Sequence, residues 1–292
     1  MGSMIAGTGV AAFENILRML WAWLATQPRM LAMFAIVPLF GKQAIPMTLR
    51  MAISAVFGFL VMPVLLSGGA DGSKTAALPG LDGVAFLLSG AVQLSTGDVA
   101  GFIAWAFKEA FIGFVLGYAF SVPFWILEVV GFFIDNQRGA GLGATLDPLT
   151  GNDSSPLGQL FLQAFVVFFI IVNGPQLMLT CLYDSFTLWP SASWYPALRG
   201  ESVPAMLDML SNLVRTAILL AAPVMIVMFL SEVGIALISR FVPQLQVFFI
   251  AMPIKSAVAF FVLTLYIGTL MHQLEAVLTE LGGLLPFLNR QW

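Results

Sequence analysis

Side chains able to do chemistry are few and far apart in this 292-residue sequence. Lys108 and Glu109 adjoin, and Glu128 follows them within an otherwise uncharged apolar stretch. Ionisable groups set at membrane depth are the raw material of a proton or ion relay. The plainer reading, which outweighs the relay, is that these three pair with partner subunits or mark helix ends. Two polar clusters stand out besides. One is Asp135-Asn136-Gln137-Arg138-Gly139, and the other runs through Arg240, Pro243, Gln244, Gln246 and Phe248 to Pro253 and Lys255. A chain with so few polar residues gathers them beside Gly and Pro where it turns or meets partners. Taken alone, Asp135 to Gly139 is also an ordinary capped turn.

Enzymatic chemistry has little to draw on. Cys181 is the only cysteine, which excludes an internal disulfide and a Cys-cluster metal site, and His272 is the only histidine, which leaves a His-based metal cluster or an ordinary triad almost nothing to draw on. Cys181 reads as a small buried hydrophobe and His272 as a polar residue at a helix end. No phosphate loop, zinc-protease, nucleophile-elbow or dinucleotide motif occurs in a fitting context. The expectation is a noncatalytic chain without cofactors or metals.

Composition sets the class. Hydrophobic residues make up 60% and charged residues 9%, with a mean hydropathy of +0.96, where a soluble domain carries about 25% charged residues. Such a chain cannot cover itself with polar surface, so lipid or apolar protein must cover it. The net charge is -3, and the basic residues are scattered singly, so nucleic acid finds no stripe to bind. No basic residue precedes the first apolar stretch, and Glu14 and Arg18 interrupt it, which does not fit a secretory signal. Ala6 stands where myristoylation needs Ser or Thr.

The elements that must position the clusters read as apolar helices. Glu14 and Arg18, four apart, share one face of a first amphipathic helix with Trp21 a turn further on. Gln27-Pro28-Arg29 is expected to end it, and Pro38 and Pro46 to bracket a rigid turn at Gly41-Lys42-Gln43. Met51 to Ser67 reads as a run interrupted by Pro63, and Ser67 to Gly83 as a solvated linker. Val99 to Ile134 is the most continuous helical stretch, followed by a polar loop from Asp135 to Gly158. Asn173-Gly174-Pro175 divides the uncharged stretch from Ser154 to Tyr183 into a two-helix hairpin. Trp189 to Leu210 reads as an interfacial loop leading into a short amphipathic helix. Two apolar arms then flank a turn at Arg240 to Gln246, the second broken at Pro253 and Lys255, before a tail from Glu275 that frays.

As a multipass protein this pattern is anomalous. Nearly every run holds a proline or falls short of a clean span, and Lys and Arg favour neither set of loops, so the positive-inside rule gives no orientation. Charge at the bilayer centre costs at least about 2.5 kcal/mol on insertion scales, which argues for helices sheltered by protein.

PLFGKQAIP, AFKEAFIGFVLGYAFSVPF, PFWILEVVGFFIDNQRG and SRFVPQLQVFFIAMPIKS occur in order between Arg29 and Ile267. In these segments the chain resembles the SctT family of type III secretion export-apparatus proteins, the HrcT, YscT and SpaR group, which is related to flagellar FliR. Asp-Asn-Gln-Arg-Gly favours the injectisome branch, and Gln246 departs from an expected Asn while keeping an amide. The resemblance implies an all-α fold of Pro-broken helical hairpins, embedded in the membrane or in an assembly, that joins R and S components in a helical pore complex. It implies a single export-apparatus domain over 1–292, with N-terminal hairpins at 27–134, a polar loop at 135–158, C-terminal hairpins at 159–271 and a tail at 272–292. It also implies an inner-membrane conduit raised toward the periplasm, with membrane lipid and secreted polypeptides in transit as neighbours and the U component near its cytoplasmic end. The tip from Arg240 to Lys255 is then a gate or partner contact, with Gln244, Gln246 and Lys255 lining a constriction, and Asp135 to Gly139 a second contact. The competing readings are the flagellar homologue, a small-molecule secondary transporter on broken helices, and a membrane scaffold without a conduit.

Overall fold

A computed structural model describes residues 16, 19–20, 23–41, 45–67, 96–139, 155–189, 202–241 and 247–281. Every element among them is helical: α1 over 23–36, a 3-10 turn at Pro38–Phe40, α2 Met47–Ser67, α3 Thr96–Arg138, α4 Pro156–Ile171, α5 Gly174–Leu188, α6 Ser202–Phe241 and α7 Val247–Leu281. Three helices are long and apolar enough to cross a membrane, at Ile103–Arg138, Leu207–Phe241 and Ile250–Thr279. A helix satisfies its own backbone groups without water, which is why uninterrupted apolar sequence adopts it.

Several expected breaks are absent. Pro28 lies inside α1, Pro63 inside α2 and Pro253 inside α7, and none ends its helix; Pro123 and Pro223 also lie within helices, α3 and α6. An interior proline costs about 3 kcal/mol in a helix exposed to water, but unwinding in apolar surroundings would strand further carbonyls without partners. For the same reason the expected loop and short helix before Leu210 are replaced, from Ser202 onward, by the 40-residue α6. The arm expected to break at Pro253 and Lys255 continues through His272 and Glu275 to Leu281. Asp135 to Arg138 form the last turn of α3 rather than a loop, and Gly139, with φ 84°, ends it. Asn173 does break the chain, with φ 58°, between α4 and α5. Lys42, Gln43, the expected linker after Ser67 and the turn at 242–246 lie outside the described residues.

The chain packs as two units of discontinuous sequence. One holds residues up to Phe120 together with Leu177–Ser202 and Leu284–Trp292; the other holds Ser121–Gln176 and Val203–Gly283. In the first, Met30, Met33, Phe34, Ile112, Leu116 and Leu182 are buried. Ser54 Oγ donates to Gln27 Oε1 at 2.9 Å, and Trp23 Nε1 to the Ala55 carbonyl at 2.8 Å, stitching α1 to α2. In the second, Phe124 stacks edge-on against Phe165 at 4.8 Å and tilts against Phe169 at 5.1 Å.

Candidate functional site

The buried charge of the first unit begins with glycine. Gly113 and Gly117 on α3 meet Arg29 and Met33 on α1, both pairs four residues apart. A Cβ on Gly113 would strike the Arg29 carbonyl, and one on Gly117 would come within 2.8 Å of the Met33 oxygen. This is the close crossing that small residues permit between apolar helices. One turn before Gly113, Glu109 is thereby brought to Arg29.

Both side chains are fully buried. Arg29 Nε and Nη2 each lie 2.8 Å from Glu109 Oε2, Nη1 donates to Ser185 Oγ at 3.0 Å, and Nη2 also donates to the Trp189 carbonyl at 2.9 Å. The Phe186 ring lies 4.1 Å beneath the guanidinium carbon. Lys108 Nζ stands 2.8 Å from Glu109 Oε1, close enough for an ion pair, although Oε1 accepts no hydrogen bond of good geometry. Guanidinium planarity lets one cation tie α1, α3 and α5 together. Sequence reading took Arg29 for part of a helix break and missed it. The signal was there: an acid one turn before a Gly-x-x-x-Gly pair needs a cation on the crossing helix.

The second unit closes around the last turn of α3. Asp135 is 3% exposed. Its Oδ2 accepts from Ser155 Oγ at 2.6 Å and from the Leu157 backbone N–H at 2.9 Å, while its Oδ1 accepts from Arg138 Nε at 2.6 Å. Ser155 is the N-cap of α4, accepting from the Gly158 N–H at 2.9 Å, and Pro156 follows at the first helical position. A carboxylate at a helix N-terminus is favourable because the orphan N–H groups and the dipole both meet it. Gln137 Nε2 donates to the Met225 carbonyl of α6 at 3.0 Å, and the Arg138 guanidinium lies 5.4 Å from the Phe260 ring centre on α7. One turn thus fastens α4, α6 and α7; within it Asn136 is exposed.

The remaining sequence candidates are dispersed. Lys255 Nζ pairs with Glu232 Oε2 at 2.7 Å, joining α7 to α6. Arg240 sits in the last turn of α6 and is exposed, Phe248 lies in the first turn of α7, and Pro243, Gln244 and Gln246 fall outside the described residues. Glu128 lies on the part of α3 that belongs to the second unit and, among the described residues, joins neither cluster. Cys181 is buried, and His272 is 81% exposed beside Glu275 rather than at a helix end. Among the described residues no group of three His, Cys, Asp or Glu side chains could hold a metal.

A family model described as bacterial export proteins, family 1, matches residues 20–281. The chain belongs to the bacterial export proteins, family 1. Among its relatives, Yop proteins translocation protein T of Yersinia pestis is 35% identical over 282 residues, covering 95% of this chain and 99% of the relative. Surface presentation of antigens protein SpaR of Shigella sonnei is 34% identical, covering 73% of this chain and 81% of its own. Flagellar biosynthetic protein FliR of Bacillus subtilis is 28% identical, covering 86% and 87%. Within the family, the chain falls in the SctT group of type III export proteins. It is a membrane component of the type III secretion export apparatus, all-α as the resemblance implied.

Proposed function

We propose that this chain is the noncatalytic T subunit of the injectisome export gate in the bacterial inner membrane, where it joins R and S components to enclose the conduit for unfolded proteins. The observation that carries the reading is likeness along the whole chain to the Yop translocation protein, at 35% identity against 28% for the Bacillus flagellar relative. Its helices supply the physical reason for partners. The most apolar windows of α6 and α7 are 33% and 11% buried within the chain, so most of their apolar surface needs a cover from outside. As an export-apparatus subunit, it would find that cover in sister subunits as well as in lipid.

In this reading the tip between Arg240 and Lys255 lies at the cytoplasmic entrance, facing the U component, and the Asp135 to Gly139 turn is a second contact. The closed network on Asp135 would act there by fixing α4, α6 and α7, with the exposed Asn136 meeting the neighbour. The assembly is raised toward the periplasm, so secreted polypeptides pass inside it.

The test is purification of tagged full-length chain from its native membranes. Small apolar R-type and S-type subunits should come with it, and deletion of the chain should abolish secretion of needle proteins while sparing motility. Purification alone with small-molecule transport activity would overturn the reading. Arg138→Ala and Gln244→Ala should each impair assembly or passage, and normal secretion by both would remove those two contacts.

A further inference from the structure

Among the described residues, most acids inside the long apolar helices stand beside a basic side chain of the same chain. Glu109 has Arg29 and Lys108, Asp135 has Arg138, Glu232 has Lys255 and Glu275 has His272. Asp208 is exposed near the start of α6, where a helix end favours an acid. Glu128 lies in the interior of α3, half-buried, and makes no side-chain hydrogen bond or ion pair among the described residues. We propose that Glu128 is where a basic side chain, carried on an apolar helix of another export-apparatus subunit, docks on this chain. The proposal rests on the function read above and adds the chemistry of one contact.

Three observations carry it. First, the carboxylate is framed by apolar side chains on its own face: Trp125 is one turn before it and Phe132, 43% exposed, one turn after. An acid in an aromatic frame is matched by a cation, which both the charge and the ring faces attract. Second, α3 cannot rotate to hide the group. A Cβ on Gly131 would strike the Gly158 backbone, and one on Gly158 would come within 2.9 Å of the Glu128 carbonyl. The Asp135 network locks the same helix two turns on. The backbone that carries Glu128 is therefore held in place before any partner arrives. Third, the other sources of an answering group fit poorly. Glu128 is about 15 Å of helix from Arg138, at the near end of the apolar helix, out of reach of a lipid headgroup met at that end. A proton relay needs a next acceptor, and Asp135, the next acid along α3, is closed by Arg138, Ser155 and Leu157.

The test uses the full chain co-expressed with the subunits that purify with it. E128Q should lower recovery of the assembled complex by about tenfold, as when a buried charge loses its counterpart, and E128K should lower it further. Reversing the basic residues in the apolar helices of those subunits to Glu, one at a time, should identify one position that restores assembly of E128K to at least about half of wild type. Wild-type assembly of E128K would overturn the proposal, since lipid or water then suffices. Full assembly of E128Q with secretion lost would also overturn it, in favour of proton transfer. If E128Q lowers the amount of chain in the membrane itself, the reversal arm decides: rescue at one position supports the contact and rescue at none rejects it. Failure of the wild-type chain to bring any subunit with it would instead undo the function on which the contact rests.

Discussion

Helices α3 and α7 are built from similar sequence, long, apolar and interrupted by one proline each, yet their fates in the chain differ. The most apolar window of α3 is 72% buried and that of α7 is 11% buried. The difference lies in what the sparse non-apolar residues do. Along α3, Gly113, Gly117 and Gly131 let other backbones come close, and Glu109 and Asp135 meet polar groups prepared for them. Along α7, Gly268 has nothing within 4 Å of where a Cβ would stand, and Phe261 and Leu265 are 68% and 72% exposed. Hydrophobicity alone therefore does not settle which helix is the core; small residues and buried charge do.

The severest way to break that contrast is to open the α3 side. Arg29→Ala strands Glu109 with Lys108 alone and removes the tie to Ser185 and Trp189. Unpairing a buried charge costs about 3–5 kcal/mol, so the chain should fall to a small fraction of its normal level in membranes by immunoblot. Replacing both partners should be far milder, because burial of the pair was itself costly. R29M/E109M is expected to keep most of the chain's abundance, and loss equal to that of R29A would show that the cation's three-helix tie matters more than its charge balance.

Gly131→Ala comes next. The added methyl meets the Gly158 backbone, and overpacking of this kind costs about 1–3 kcal/mol. The expected result is a lower melting temperature of the detergent-purified chain. Ser155→Ala is smaller again. It removes the α4 N-cap and one of the Asp135 hydrogen bonds, and cap deletions cost about 1 kcal/mol. A shift as large as that of G131A would mean that Asp135 loses its orientation with the serine.

Much of this was legible from residue order, and the misses share a cause. The helical class, the membrane character and the break at Asn173 follow from apolar runs and turn chemistry that act locally. The prolines misled because their cost depends on the alternative: water accepts a freed carbonyl and hydrocarbon does not. Asp135 to Arg138 looked like a loop because Asp and Asn favour turns in solution. Its side chains are instead spent on Ser155, Leu157 and Met225, residues 20 to 88 positions away that only the fold brings near. Arg29 was hidden for the same reason, being 80 residues from Glu109, although Gly113 and Gly117 marked the crossing.

The smallest effect on the chain itself is expected where the other helix is uncovered. Phe261→Ala combined with Leu265→Ala removes large side chains that bury little against this chain, so no cavity forms and almost no transfer free energy is lost. The melting temperature of the isolated chain should stay within about 1 °C of wild type, since surface changes fall within about ±0.5 kcal/mol. Recovery of co-purifying subunits separates the two possible covers. If protein packs there, recovery falls while the chain's own stability holds; if lipid does, both are unchanged, since alanine is also apolar. A drop in the isolated chain's stability would be the telling surprise, because α7 would then be packed against this polypeptide and the contrast with α3 would disappear.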